Sequence, residues 1–440
     1  MDFTVRGGCK LRGRARVPGD KSLSHRGLIL GATAQGVTQV KGFLPSADCL
    51  ATLRCLRGLG VRIEETSPAG EDGPPRLDVQ VWGEGLERLA EPEDVLDCGG
   101  SGTTMRLLVG VLAGRPIVSV LTGNARLRQR PMGRVVAPLR QMGAQIMGRS
   151  GGRLPPLTIQ GGRLRGVDYT LPVASAQVKS AILLAALSAD GPTVVREPGP
   201  ARDHTERMLQ AQGANLRVEG RTITLTPGDA PLRPLAFTVP GDISSASFLV
   251  VAACLAPSSE IRIEEVGLNP TRTGLLDVLR EMGADITTLN RRQMAGEETG
   301  DLLVRAGPLR GAEIGGELVV RMIDEFPVLA VAATQAEGIT TVRDAAELRV
   351  KESDRISATV GELRKMGARI EERPDGFVVE GPTPLQGAVV EGRGDHRLAM
   401  ALTVAGLIAS GETKLLGAEY IGDSFPQFAP TLRGLGAEIN

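Results

Sequence analysis

Aromatic side chains are scarce: eight Phe, two Tyr and one Trp in 440 residues. Such a chain has few rings on which to stack unpaired bases. Charge of one sign is not in excess either, because Lys+Arg and Asp+Glu both number 51. The basic footprint of a general nucleic-acid or anionic-membrane binder is therefore missing. The uncharged apolar stretch Leu398 to Gly411 has 14 residues, too few to cross a bilayer. Met1-Asp2-Phe3-Thr4-Val5-Arg6 shows no hydrophobic run of the signal-peptide kind. The five cysteines (Cys9, Cys49, Cys55, Cys98, Cys254) form no C-x-x-C pair, and His25, His204 and His396 are the only histidines. A disulfide framework, a zinc site or a transition-metal cage is not expected; reduced, buried thiols in a cytoplasmic protein are. What remains is globular composition, 42% apolar and 23% charged, in a chain too long for one compact domain.

The organisation emerges from repeats. One phrase recurs six times: Leu59-Gly60-Val61, Met142-Gly143-Ala144, Gln212-Gly213-Ala214, Met282-Gly283-Ala284, Met366-Gly367-Ala368 and Leu435-Gly436-Ala437, each followed by residues of a strand. Glycine after an apolar-periodic stretch supplies the left-handed residue that stops a helix. The spacing also repeats by half-chains: Gly60 to Gly283 is 223 residues, Gly143 to Gly367 is 224, and Gly213 to Gly436 is 223. Val17-Pro18-Gly19-Asp20 returns as Val239-Pro240-Gly241-Asp242, a shift of 222. Two halves of three units each satisfy this arithmetic. Each unit also carries a helix apolar on most faces, beginning near Ser22, Gly102, Ser175, Ser244, Asp324 and His396, and so expected to be buried. The unit reads strand, buried helix, strand, amphipathic helix, more strand. Both helices then start at the sheet edge where ligands bind in α/β folds, and converging helix N-termini attract anions.

The chemistry-bearing side chains collect at those helix starts. Only seven lysines stand against 44 arginines, yet Lys21 and Lys351 sit in the densest polar clusters, Asp20-Lys21-Ser22-Leu23-Ser24-His25-Arg26 and Arg349-Val350-Lys351-Glu352-Ser353-Asp354-Arg355. Either could be a capped or solvated helix start. Cys98-Gly99-Gly100-Ser101-Gly102-Thr103-Thr104-Met105-Arg106 is a glycine-rich turn able to bring backbone N–H groups to a phosphate, although it carries neither the dinucleotide fingerprint nor the P-loop ending. Arg126, Arg128 and Arg130 form a basic loop. Ser175-Ala176-Gln177, Arg202-Asp203-His204, Asp324-Glu325 and Asp395-His396-Arg397 open further helices. Their recurrence at equivalent points of six units favours one shared anion site over independent caps.

These stretches, together with Arg130-Pro131-Met132-Gly133, closely resemble the 5-enolpyruvylshikimate-3-phosphate synthases, the 3-phosphoshikimate 1-carboxyvinyltransferases, nearly end to end. The resemblance implies a two-domain inside-out α/β barrel of six βαβαββ units, with residues 19–240 as one domain and residues 1–18 plus 241–440 as the other. It places the active site in the interdomain cleft. It implies transfer of the enolpyruvyl group of phosphoenolpyruvate to the 5-hydroxyl of shikimate 3-phosphate, with release of phosphate. By resemblance, Lys21, Ser22, Arg26, Ser175, Gln177, Arg202, Asp324 and Lys351 would hold shikimate 3-phosphate. Lys21, Gly102, Arg130, Gln177, Arg355 and Arg397 would hold phosphoenolpyruvate. Asp324 would take the hydroxyl proton, Glu352 would protonate the methylene carbon, and Lys21 would stabilise the leaving phosphate or shuttle a proton. No metal or organic cofactor is implied, and a monomer without nucleic-acid or membrane partners is expected.

The chain departs from the best-known family pattern at Gly100, where an asparagine is common, at Leu107, where a proline is, and at Asp423, in place of a C-terminal lysine of one branch. Ser175-Ala176 and Arg202 are closer to the other branch, and the retained Gly102 implies sensitivity to glyphosate. The sister transferase acting on UDP-N-acetylglucosamine usually carries a cysteine before its Arg-Pro pair, and Thr122 to Gln129 contains none. An RNA-processing relative with similar repeats is disfavoured by the neutral charge and scarce aromatics. A non-catalytic anion binder is disfavoured by two carboxylates, Asp324 and Glu352, among the cations.

Overall fold

The computed structural model describes residues 1–67 and 75–440. Among these the strands form six four-stranded sheets, all built alike. In the sheet of the first unit, Ala236–Thr238 lies parallel to Gln35–Phe43, which pairs antiparallel with Leu77–Glu84, itself antiparallel to Arg62–Thr66. The sequence of one parallel and two antiparallel pairings recurs in the other five. All six glycines of the repeated phrase take positive φ, from +84° at Gly60 to +109° at Gly436, a region in which a side chain would be strained. The turn they make swings each amphipathic helix back into a strand.

Each unit's buried helix starts within two residues of its expected position: Lys21–Thr33, Gly102–Ala113, Ala176–Ala186, Ile243–Leu255, Phe326–Gln335 and His396–Ile408. Their sequences are apolar all round because neighbours cover every side; each residue from Ile243 to Cys254 is buried. Two of them touch at backbone distance: a Cβ on Gly110 would stand 2.3 Å from the Ala181 carbonyl oxygen. The amphipathic helices, such as His204–Ala211 and Arg355–Lys365, pack one face on this layer.

Chain order and sheet order differ in one respect that local pattern could not reveal. The N-terminal strands Phe3–Arg6 and Arg12–Arg16 do not join the sheet of the first unit. They complete the sheets of residues 389–439 and 260–305, while Ala236–Thr238 returns to complete the first. Buried apolar residues accordingly gather in two clusters, one drawn from residues 23–239 and one from residues 5–17 with 243–439. The chain passes between them at the two Pro-Gly-Asp stretches. There Asp20 N–H donates to the Pro240 carbonyl and Asp242 N–H to the Pro18 carbonyl, both at 2.8 Å, a reciprocal pair that mirrors the 222-residue repeat. Among the described residues no helix is long and apolar enough to cross a membrane.

Candidate active site

The N-termini of the buried helices bring the expected residues together between the two clusters. Asp20 caps its helix by accepting from Leu23 N–H at 2.8 Å, Ser101 does so from Thr104 at 3.1 Å, and Asp395 from Arg397 at 2.9 Å. With the caps satisfied locally, the side chains that follow them are left to make other contacts.

Asp324 is the most heavily paired carboxylate there. It accepts from Arg202 of the first half at 2.5 Å and from Arg355 at 3.2 Å, and Arg397 stands 3.6 Å away. Burial alone would raise its pKa; Arg397, Arg202 and Arg355 outweigh that and hold it well below the ordinary carboxylate range. Its neighbour Glu325 shows the opposite balance: burial and the Asp324 charge push it up. Glu352 also crosses the halves, accepting from Arg130 at 3.1 Å and from Arg355 at 2.7 Å. Against the burial effect, those guanidinium groups bring it down to about 2.

Lys21 pairs with Asp48 at 2.5 Å; burial opposes its charge, but Asp48 prevails and the ammonium is held more firmly. Lys351 has only a long pair with Glu347, 3.9 Å, and burial lowers its pKa. Gln177 accepts from Arg106 at 2.5 Å and donates to Thr103 at 2.9 Å. Gly102 opens the space between two guanidinium groups: a Cβ there would lie 3.0 Å from Arg106 and 3.1 Å from Arg130. Ser22 and Ser175 lie half-buried at their helix starts. Arg26 is set deeper, donating to Thr205 at 2.7 Å, Ser180 at 2.9 Å and the Ser22 carbonyl at 3.1 Å. Burial takes it down to about 10.

Four further residues join the cluster whose roles the sequence did not single out. Asp48, in Ser46-Ala47-Asp48, has the look of an ordinary helix-start acid and gave no signal. Arg106 and His396 lie inside motifs that were recognised. Asp395 accepts from Arg355 at 2.8 Å and stands behind the site. Burial drives His396 down to about 3, so it is neutral at physiological pH. Asp423 lies near Lys21, Asp48, Arg126 and Glu352, and burial raises its pKa. Among the described residues no group of three or more His, Cys, Asp or Glu is placed to hold a metal ion.

The chain has counterparts among known proteins. A family model described as EPSP synthase (3-phosphoshikimate 1-carboxyvinyltransferase) matches residues 5–432. The chain belongs to that family. It is 51% identical over 433 residues to the 3-phosphoshikimate 1-carboxyvinyltransferase of Desulforamulus reducens, covering 98% of this chain and 99% of the relative. It is 54% identical to that of Pelotomaculum thermopropionicum, covering 98% of each. An EPSP synthase structure from Acinetobacter baumannii superposes with a TM-score of 0.90 at 44% identity, covering 100% of this chain and 99% of that one. The repeated α/β architecture is thus that of the enolpyruvyl transferases.

Proposed function

We propose that the chain transfers the enolpyruvyl group of phosphoenolpyruvate to the 5-hydroxyl of shikimate 3-phosphate, releasing phosphate. The observation that carries this at the level of the site is the Asp324–Glu352 pair, two carboxylates set among Arg130, Arg202, Arg355 and Arg397. Both substrates are small polyanions, and forked guanidinium groups match carboxylate and phosphate oxygens. Lys21, Ser22, Arg26, Ser175, Gln177, Arg202, Asp324 and Lys351 serve shikimate 3-phosphate in this reading, with Arg26 bracing the floor of its site. Lys21, Gly102, Arg130, Gln177, Arg355 and Arg397 serve phosphoenolpyruvate.

Addition requires a base for the hydroxyl proton and an acid for the methylene carbon. Asp324, held ionised by its arginines, takes the proton as the 5-oxygen bonds to C2 of phosphoenolpyruvate. Glu352 gives a proton to C3, which becomes a methyl group. Where Arg130 and Arg355 alone meet it, Glu352 is held ionised. Phosphoenolpyruvate draws on the same two guanidinium groups and adds its own negative charge, and both effects raise the Glu352 pKa toward a value at which it carries a proton. Elimination then breaks the C2–O bond to phosphate, the methyl proton returns to Glu352, and Lys21 meets the charge on the leaving group.

The same proposal divides the chain into residues 19–240 and residues 1–18 with 241–440, as an inside-out barrel of six βαβαββ units, three per domain. The two apolar clusters and the exchanged strands support it. One chain supplies every residue assigned to both substrates, which supports a monomer as the working unit, and unpaired, largely buried thiols fit a cytoplasmic location.

The test is phosphate release from phosphoenolpyruvate with and without shikimate 3-phosphate, beside UDP-N-acetylglucosamine as control acceptor. Release only with shikimate 3-phosphate, yielding an enolpyruvyl ether, is expected. Release only with the nucleotide sugar, or with neither, overturns the proposal.

A further inference from the structure

Arg202 lies in the loop between the strand Thr193–Arg196 and the helix His204–Ala211. Its own half supports the start of that loop: buried Lys179 pairs with Glu197 at 2.8 Å and reaches the Ala201 carbonyl at 3.5 Å, and Arg221 reaches the Pro198 carbonyl at 2.9 Å. Beyond it, Asp203 and His204 are also met from the second half. Asn269 donates to Asp203 Oδ1 at 2.7 Å and to Glu297 Oε2 at 2.9 Å, and Glu297 Oε1 lies 2.7 Å from His204 Nδ1. Arg207 closes the ring, donating to Asp203 Oδ2 at 2.7 Å and to the Gly296 carbonyl at 3.0 Å. Asn269, His204 and Glu297 are all buried.

The orientation of Asn269 is fixed from within its own half. Its side-chain oxygen accepts from Thr271 N–H at 2.9 Å and from the Thr271 hydroxyl at 2.7 Å. The amide nitrogen therefore has to face the two carboxylates, and each receives one of its two N–H groups. Within this ring Asn269 and both oxygens of Glu297 are satisfied, which stiffens it. Two close contacts show that it sits beside the chain crossings: Arg272, three residues on from Asn269, binds Asp20 and Asp242, and Thr238 N–H meets Met294 at the tip of the same hairpin as Glu297.

We propose that Asn269 and Glu297 are positioning residues for Arg202, clamping Asp203 and His204 so that the guanidinium meets Asp324 and shikimate 3-phosphate in register. The second half thereby supplies Asp324 and also fixes the backbone beside the arginine that pairs with it. This rests on the reading that Arg202 binds shikimate 3-phosphate.

The test compares steady-state constants of Asn269→Ala, Glu297→Ala and Glu297→Gln with those of Arg202→Lys. Both alanine variants are expected to raise KM for shikimate 3-phosphate about tenfold while leaving KM for phosphoenolpyruvate within about twofold, as the loss of a buried charge-assisted bond implies. Glu297→Gln keeps the shape and one hydrogen bond to each neighbour, and recovers most of that loss. In the Arg202→Lys background Asn269→Ala adds less than about twofold, because the clamp acts through the arginine. Should a buried variant not fold, Arg207→Ala, which removes the more exposed side of the ring, is expected to move the same constant in the same direction. An equal rise in both KM values, or full additivity with Arg202→Lys, overturns the proposal. No effect of Arg202→Lys on KM for shikimate 3-phosphate overturns instead the reading on which it rests.

Discussion

Arg272 and Asp20 form a buried ion pair at 3.0 Å between the two apolar clusters. The same guanidinium donates to Asp242 at 3.1 Å and to the Ser244 hydroxyl at 2.9 Å, and Ser244 in turn donates to Glu325. One cation thus holds the caps of two equivalent helices and is linked through Ser244 to the acid next to Asp324. Lys21 follows directly on Asp20, so this junction also sets the start of the helix that presents it.

Removing that cation leaves two buried carboxylates facing each other. Arg272→Met is therefore expected to destabilise the protein by about 3–5 kcal/mol, the usual cost of breaking a buried pair from one side. Arg272→Lys should recover only part, since one ammonium cannot fork to both acids. Urea unfolding measures this, and a loss below about 1 kcal/mol for the methionine variant would show that the carboxylates are compensated elsewhere.

Between pH 7 and 4.5 stability should depend on pH chiefly through two histidines. Burial lowers His25 and His396 to about 3, so the unfolded chain binds these protons more readily than the folded one. The stabilisation is complete above the unfolded value of about 6.5 and is lost as pH falls from there toward 3, at about 1.4 kcal/mol per pH unit for each histidine. Glu352, near 2, and the depressed Asp324, Asp242 and Asp395 add to the slope as pH falls through the ordinary carboxylate range; the raised Glu325, Glu197 and Asp423 work the other way. Unfolding free energies measured between pH 7 and 4.5 should fall, and His25→Gln should roughly halve the slope. A flat profile across that range contradicts the assignment.

The repeat arithmetic was the most legible part of the sequence. A glycine that must take positive φ is hard to replace, so Gly60, Gly143, Gly213, Gly283, Gly367 and Gly436 mark the helix ends whatever surrounds them. Site residues were legible where they begin helices, as Lys21, Gly102, Asp324 and Arg397 do. Strand exchange was not legible, because nothing in Phe3–Arg6 or Arg12–Arg16 says which of six similar sheets each completes. Asp48 was missed for a related reason. An acid in the first turn of a helix is usually there for the helix, and only the folded chain shows it 2.5 Å from Lys21. Arg26 could be recognised, but its depth beneath Ser22, Ser180 and Thr205 could not.

A methyl group on Gly102 has nowhere neutral to go. Its carbon would lie 3.0 Å from Arg106 and 3.1 Å from Arg130, and both can yield only by moving their charged ends. Gly102→Ala should therefore leave folding intact and raise KM for phosphoenolpyruvate, by about three- to tenfold if one charge-assisted bond is weakened. KM for shikimate 3-phosphate should change far less. A variant with both constants unaltered would show that Arg130 does not grip phosphoenolpyruvate from this position.

Of the basic loop, Arg130 reaches Glu352, and Arg134 four residues on lies 3.7 Å from Glu347. Arg126, four residues before, completes the series: its guanidinium sits over the Tyr420 ring at 5.4 Å and beside Gly394, which precedes Asp395-His396-Arg397. Three arginines at one spacing thus join the first half to three segments of the second, beside the residues proposed to hold phosphoenolpyruvate. Gly394 has φ +72°, and a Cβ there would stand 3.2 Å from the Arg126 guanidinium, so the close seat depends on glycine. An exposed cation–π contact contributes about 0.5–1 kcal/mol, or two- to fivefold in a binding constant. Arg126→Ala and Tyr420→Leu are each expected to raise KM for phosphoenolpyruvate by about that factor with kcat nearly unchanged, and the double variant should be no worse than either single one. Additive losses would mean that the two side chains act separately and that the cleft edge is held by Arg130 and Arg134 alone.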